Sequence, residues 1–114
     1  MSKRQEYGLQ FSKELKRDII RFKCHYIGKN PLLISLAFKL TIMHKIECKG
    51  LIQEIINAEN GEYYEQYFAL DCDAASDNDC IEIAPPNVII DNELTISFTD
   101  MKLLLQEYID FMER

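Results

Sequence analysis

Apolar residues recur along this chain in more than one rhythm, and each rhythm predicts a different kind of element. From Phe11 to Tyr26 the positions Phe11, Leu15, Ile19, Ile20, Phe22 and Tyr26 follow a helical period, while Lys13, Lys16, Arg17, Arg21 and Lys23 fill the opposite face. The spacing predicts an amphipathic helix with a basic outer side. Gly28-Lys29-Asn30-Pro31 then supplies a stop and a restart, because glycine suits a helix C-terminus and Asn-Pro suits an N-cap followed by a first turn. Across Leu32 to Glu47 two patterns compete. Leu33, Leu36, Leu40 and Met43 fit a helix, whereas Leu36, Phe38, Leu40 and Ile42 alternate as a strand would. Helix is preferred, because Asn30-Pro31 opens one and the run outlasts a usual strand of about 5–6 residues. Lys49-Gly50 reads as a break, followed by a short helix on Leu51, Ile52, Ile55 and Ile56 that ends near Asn60-Gly61.

Beyond Gly61 the rhythm shortens to runs of aromatic and β-branched residues separated by turn formers, the pattern of an antiparallel sheet. The expected strands are Tyr63 to Leu70, Cys80 to Ile83, Asn87 to Ile90 and Leu94 to Phe98, with Asp71 to Asp79 as a polar loop. Asp91-Asn92 suits a tight hairpin turn because both residues tolerate positive φ. Pro85-Pro86, unable to donate to a ladder, belongs in the bend that leads into it. The last segment is a helix: Thr99 can cap it, Asp100 sits at its positive end, and Met101, Leu104, Leu105, Tyr108, Ile109 and Met112 form one stripe. Together these elements predict an α+β fold, with N-terminal helices and a C-terminal helix packed on a small antiparallel sheet in a single domain over residues 1–114.

Charge changes this picture from a generic fold to one with a direction. No lysine or arginine occurs between Lys49 and Lys102, and that gap holds twelve carboxylates from Glu54 to Asp100. The first fifty residues carry eleven Lys/Arg against four Asp/Glu, and the remaining sixty-four carry two against fifteen. So long a one-signed stretch exposes a negative field that steers a positively charged partner, unless the basic N-terminal elements lie beside it and cancel part of it. A net charge of −6 also argues against non-specific binding to nucleic acid, which needs a basic footprint.

No apolar segment follows the basic residues near Met1, and the longest greasy run, Pro31 to Met43, is interrupted by Lys39 and falls short of the roughly 20 residues of a spanning helix. The expectation is a cytoplasmic protein, away from membranes, whose four cysteines are reduced. Cys24, Cys48, Cys72 and Cys80 form no C-x-x-C pair, so a zinc site would have to grow from Cys24-His25 and the i, i+4 pair His44 and Cys48; buried thiols are the better reading. Asp71 to Asp79 is rich in oxygen ligands but departs from a calcium loop, with Ala75 and Ser76 where a ligand and a glycine belong. His25 and His44 are the only histidines and neither sits in a nucleophile, metalloprotease or phosphate-binding motif. No enzyme activity, catalytic residue, metal or cofactor is expected.

What remains is recognition. Glu62-Tyr63-Tyr64-Glu65-Gln66-Tyr67 mixes carboxylates with tyrosines, whose large rings and terminal hydroxyls favour protein contacts, although Tyr63 and Tyr67 could equally pack across strands. The candidate contact residues are Glu62, Tyr63, Glu65, Tyr67, Asp71, Asp73, Asp77 and Asp79. In its acidic, tyrosine-bearing span Glu59 to Glu93 and its small, motif-free profile, the chain resembles bacterial immunity proteins that neutralise polymorphic or contact-dependent growth-inhibition toxins. The resemblance implies a stoichiometric inhibitor whose carboxylates occupy the basic active-site cleft of a toxin, a nuclease for example, through those eight residues. The competing expectation is a secretion chaperone or adaptor, an acidic homodimer joined through the stripe ending in Tyr108, Ile109 and Met112.

Overall fold

The computed structural model describes residues 2–68, 81–91 and 93–113. After a single-turn helix α1 (Lys3–Glu6), the stretch expected to be an amphipathic helix is instead a hairpin of β1 (Leu9–Lys16) and β2 (Ile19–Tyr26). The correction has a physical cause. Leu9, Phe11 and Leu15 alternate along β1 and Ile20, Phe22, Cys24 and Tyr26 along β2, so each strand carries an apolar period of two on the face toward the body. Lys13 interrupts that alternation, and Ile19-Ile20 just across the turn makes the combined spacing look helical. The reversal itself falls on Arg17 and Asp18, both with positive φ (52° and 65°), as a two-residue I′-type turn demands, yet neither is the glycine or asparagine that usually announces one.

Helix α2 (Pro31–Ile42) forms as expected: Pro31 occupies its first turn and Asn30 Oδ1 accepts from the Leu32 N–H at 3.1 Å. It lies along the outer edge of β2. There Thr41 Oγ1 accepts from the Cys24 N–H at 2.9 Å and reaches the Cys24 carbonyl at 3.0 Å, replacing the strand partner that Cys24 lacks on that side. Helix α3 (Lys45–Glu59) starts earlier than the break at Lys49-Gly50 suggested, because the Glu47 carboxylate accepts from the His44 N–H at 2.9 Å and closes the first turn; Gly50 sits inside the helix.

The second sheet is antiparallel throughout, in the order β3 (Tyr67–Phe68), β4 (Ile81–Ala84), β5 (Asn87–Ile90), β6 (Leu94–Ser97). Only two residues of the expected strand from Tyr63 to Leu70 are strand among the described residues; residues 62–65 are irregular. Pro85-Pro86 forms the turn between β4 and β5, and Asp91 (φ 54°) the turn between β5 and β6. Ile81, Ile83, Val88, Ile90, Leu94 and Ile96 all point to one buried face, which α3 and the last helix, α4 (Phe98–Glu113), cover. Ser97 rather than Thr99 caps α4, its Oγ accepting from the Asp100 N–H at 3.2 Å. Helix α4 also joins the two sheets: Phe11 packs on Tyr108 and Phe111 with ring centroids 4.9 and 5.7 Å apart, and Phe22 meets Phe111 edge-on at 6.1 Å. The result is the expected α+β class, helices flanking a small antiparallel sheet, with an additional two-stranded hairpin.

Candidate partner-binding face

At the end of α3 the chain turns outward through Gly61 (φ 72°), and the Glu62 N–H donates back to the Asn57 carbonyl at 2.9 Å. Residues 62–66 then run beside the helix they have just left. The Glu65 N–H donates to Glu54 Oε2 at 2.9 Å, and the Tyr63 hydroxyl donates to Glu65 Oε1 at 3.0 Å. One residue on, the Gln66 carbonyl accepts from the Ile83 N–H at 2.7 Å and its side-chain amide donates to Glu82 at 3.2 Å, while Tyr67 stands opposite Glu82 in the ladder. Four of the sequence-selected residues, Glu62, Tyr63, Glu65 and Tyr67, therefore share one exposed face with Glu54 and Glu82. Asp71, Asp73, Asp77 and Asp79 lie outside the described residues, as does the tract weighed for calcium.

Tyr63 is 80% exposed and Tyr67 59%, so neither is a packing residue; the inward tyrosine is Tyr64, against the core. Sequence reasoning missed Glu54 and Glu82 as members of the face. Glu82 could have been found from its place between the buried Ile81 and Ile83 on a strand of period two. Glu54 had no comparable signal, because its link to Glu65 depends on how the chain folds back after Gly61.

Part of the negative field is cancelled within the molecule. Lys102 reaches Glu59 at 2.7 Å, Lys3 reaches Asp100 at 3.0 Å and Lys39 reaches Asp91 at 3.3 Å. Glu54, Glu62, Glu65, Glu82 and Glu93 form no ion pair with any described residue. The cations on and beside α3 are engaged elsewhere, Lys49 by Glu113 at 3.5 Å and Lys102 by Glu59 at 2.7 Å. The Tyr63 phenol is held above its ordinary value by the Glu65 carboxylate that accepts its proton.

The other side chains singled out from the sequence do not join this face. His25 Nε2 lies 3.1 Å from Ser12 Oγ on the exposed side of the hairpin, and His44 is exposed at the head of α3. Cys24 and Cys48 are buried, and burial pushes both thiols up to about 12. Of the stripe named for a chaperone-type dimer contact, Tyr108 and Ile109 lie in the core and Met112 is half-buried against it. No three potential metal ligands come together among the described residues. No protein-family model, curated protein or solved structure matches the chain.

Proposed function

We propose that this chain is a small acidic binding protein, an immunity protein that neutralises a toxin by covering its basic active-site cleft with the face built from Glu54, Glu62, Tyr63, Glu65, Tyr67 and Glu82. The observation that carries this reading is that, between Lys49 and Lys102, five carboxylates form no ion pair with any described residue, four of them gathered around two exposed tyrosines. Like charges held this close raise the energy of the free protein, and lysines or arginines of a partner would relieve it. Steering by the field would set the encounter rate, and burial of the Tyr63 and Tyr67 rings would set the residence time. The inhibitor supplies no chemistry of its own; it excludes the toxin's substrate.

The test first asks whether a secreted protein with a C-terminal toxin region is encoded beside this reading frame, and then takes that toxin domain as the partner. Reversing Glu62, Glu65 and Glu82 to lysine together is expected to slow association by at least about tenfold at low salt and to abolish protection of growing cells. A second variant with Asp71, Asp73, Asp77 and Asp79 changed to lysine separates the loop's share from that of the face. Unchanged association kinetics in both variants would reject this surface as the contact.

A further inference from the structure

The β1–β2 hairpin has an open edge whose position is fixed by its hydrogen-bond phase. The Ile27 N–H donates to the Gly8 carbonyl at 2.9 Å, so residues 8 and 27 are a bonded pair and the pairs 11/24, 13/22 and 15/20 are non-bonded. On β2 this turns the N–H and C=O groups of Ile20, Phe22 and Cys24 away from β1. Thr41 satisfies those of Cys24. Helix α2 ends one residue later, at Ile42, and the outward groups of Ile20 and Phe22 have no partner among the described residues.

That edge is one wall of a groove of about 640 Å³, the opposite wall being Ile42, Met43, His44 and Met112. All five residues 19–23 of β2 line it. Because successive strand residues face opposite sides, five in a row can border one groove only along the strand's edge. Apolar surface continues outward from it, with Ile20 50% and Leu15 70% exposed. The charged residues lining the groove are Arg21, Lys23 and Lys45; no carboxylate does so.

From this geometry we infer that the edge of β2 at Ile20 and Phe22 takes an extended, acidic segment of a partner protein as an added strand. Ladder bonds to Ile20 and Phe22 supply the backbone register, the apolar wall takes alternate side chains, and Arg21 selects carboxylates on the others. Lys23 and Lys45 contribute less, since Glu14 lies 2.6 Å from the first and Glu113 3.9 Å from the second; Glu14 also stands opposite Arg21 in the ladder, but its ion pair is with Lys23. A second copy of this chain is disfavoured on the same ground: antiparallel pairing of two β2 edges would bring Arg21 and Lys23 against their own counterparts, with no acid in residues 19–23 to offset them. Nucleic acid would use the cations but leave the ladder groups unmet. This site is separate from the acidic face, so its test does not depend on the proposed toxin.

The probe is a capped octapeptide of alternating valine and glutamate, titrated into the full-length protein while amide NMR signals are followed. Saturable shifts of the Ile20 and Phe22 amides are expected, with affinity weakened by at least about tenfold for the valine–lysine peptide and for one N-methylated on its ladder face. Ile20→Pro removes one outward donor without touching a β1–β2 bond, and Arg21→Glu removes the selecting cation; each is expected to weaken binding by about tenfold. Arg21→Glu leaves the backbone intact and so decides the matter if Ile20→Pro misfolds. Binding of the valine–glutamate peptide that Arg21→Glu does not weaken, no response of the two amides at about 1 mM peptide, a response to oligothymidylate alone, or a concentration-dependent dimer protecting these amides would each overturn the inference.

Discussion

The Lys39 ammonium lies 3.3 Å from the Asp91 carboxylate, with the lysine side chain 1% exposed and the aspartate 16%. Lys39 shares the buried side of α2 with Leu36 and Leu40, so the helix brings a charge into the core and the β5–β6 turn meets it there. Burial is unequal across the pair, and the consequences of breaking it should be unequal too. Asp91→Asn keeps the residue's tolerance of positive φ but removes one charged partner from the more deeply buried ammonium, and is expected to cost about 1–3 kcal/mol. Lys39→Met leaves only a partly solvated carboxylate and is expected to cost less. Urea midpoints at constant m would decide, and equal losses in the two variants would contradict the assignment.

Gly50 lies in the interior of α3, where a Cβ would meet the Phe68 ring no closer than 3.5 Å, an ordinary contact. Glycine in a helix interior costs about 0.5–1 kcal/mol relative to alanine. Gly50→Ala is therefore expected to raise stability by about that much, read as a higher urea midpoint. A loss would mean that α3 and β3 are already in tighter contact than this spacing allows.

Where sequence reading succeeded and failed follows from what each signal depends on. Helix α4 and strands β5 and β6 were readable because one buried face imposes one period, and local caps and turn residues agree with it. The start of α3 was hidden because Lys49-Gly50 looks like punctuation, while its opening rests on a Glu47 bond back to His44. The β1–β2 hairpin is hard to read because its turn carries Asp18 but no glycine or asparagine, and because Lys13 and the adjacent Ile19-Ile20 blur the period of two in the exposed outer half around Leu15 and Ile20. In the contact face, tyrosines and glutamates close in sequence could be picked out, but Glu54 and Glu82 arrive through tertiary folding.

Acid and alkali should both act on the junction between α1 and α4. The Tyr7 hydroxyl donates to Asp100 Oδ2 at 2.7 Å and Lys3 Nζ lies 3.0 Å from Oδ1. The tyrosine bond first, and the lysine second, hold the Asp100 carboxyl below its ordinary 3.8; burial first, then the same bond, pushes the Tyr7 phenol up to about 12. A depressed carboxyl contributes stability that is complete above its unfolded value and lost as pH falls through the folded one. A raised phenol contributes stability that is complete below 10 and lost as pH climbs toward 12. The gap in thermal midpoint between wild type and Tyr7→Phe should thus be widest between about pH 4 and 10 and narrow on both sides. A gap independent of pH would show that the bond is absent in solution.

Both described cysteines should be chemically silent in the folded protein. With their thiols pushed up to about 12 and little surface exposed, Cys24 and Cys48 present neither thiolate nor access. Iodoacetamide at mild alkaline pH is expected to label them at least about a thousandfold more slowly than in the urea-unfolded chain, at a rate set by opening of the structure. Peptide mass spectrometry resolves each site. Labelling of Cys24 at near the unfolded rate would mean that β2 separates from α2 readily, since the Thr41 hydroxyl bridges to the backbone of that same residue.

The outer half of the hairpin rests on its turn more than on packing. Lys16, Arg17, Asp18 and Ile19 are all exposed, and the left-handed conformation forced on Arg17 and Asp18 costs about 1 kcal/mol or more for each residue carrying a Cβ. Replacing the pair by Asn-Gly, the sequence that prefers this turn, removes most of that cost without altering any contact to the core. Because residues 15–20 are exposed and bury little against the body, the gain is expected to appear locally: amide exchange at Glu14 and Arg21, a bonded pair near the turn, should slow by about fivefold while the global urea midpoint moves little. Asp18→Gly alone keeps Arg17 and separates relief of backbone strain from loss of its charge. If protection at Glu14 and Arg21 does not rise in either variant, the turn is not what limits the arm, and strand pairing or an unrecognised contact must hold it instead.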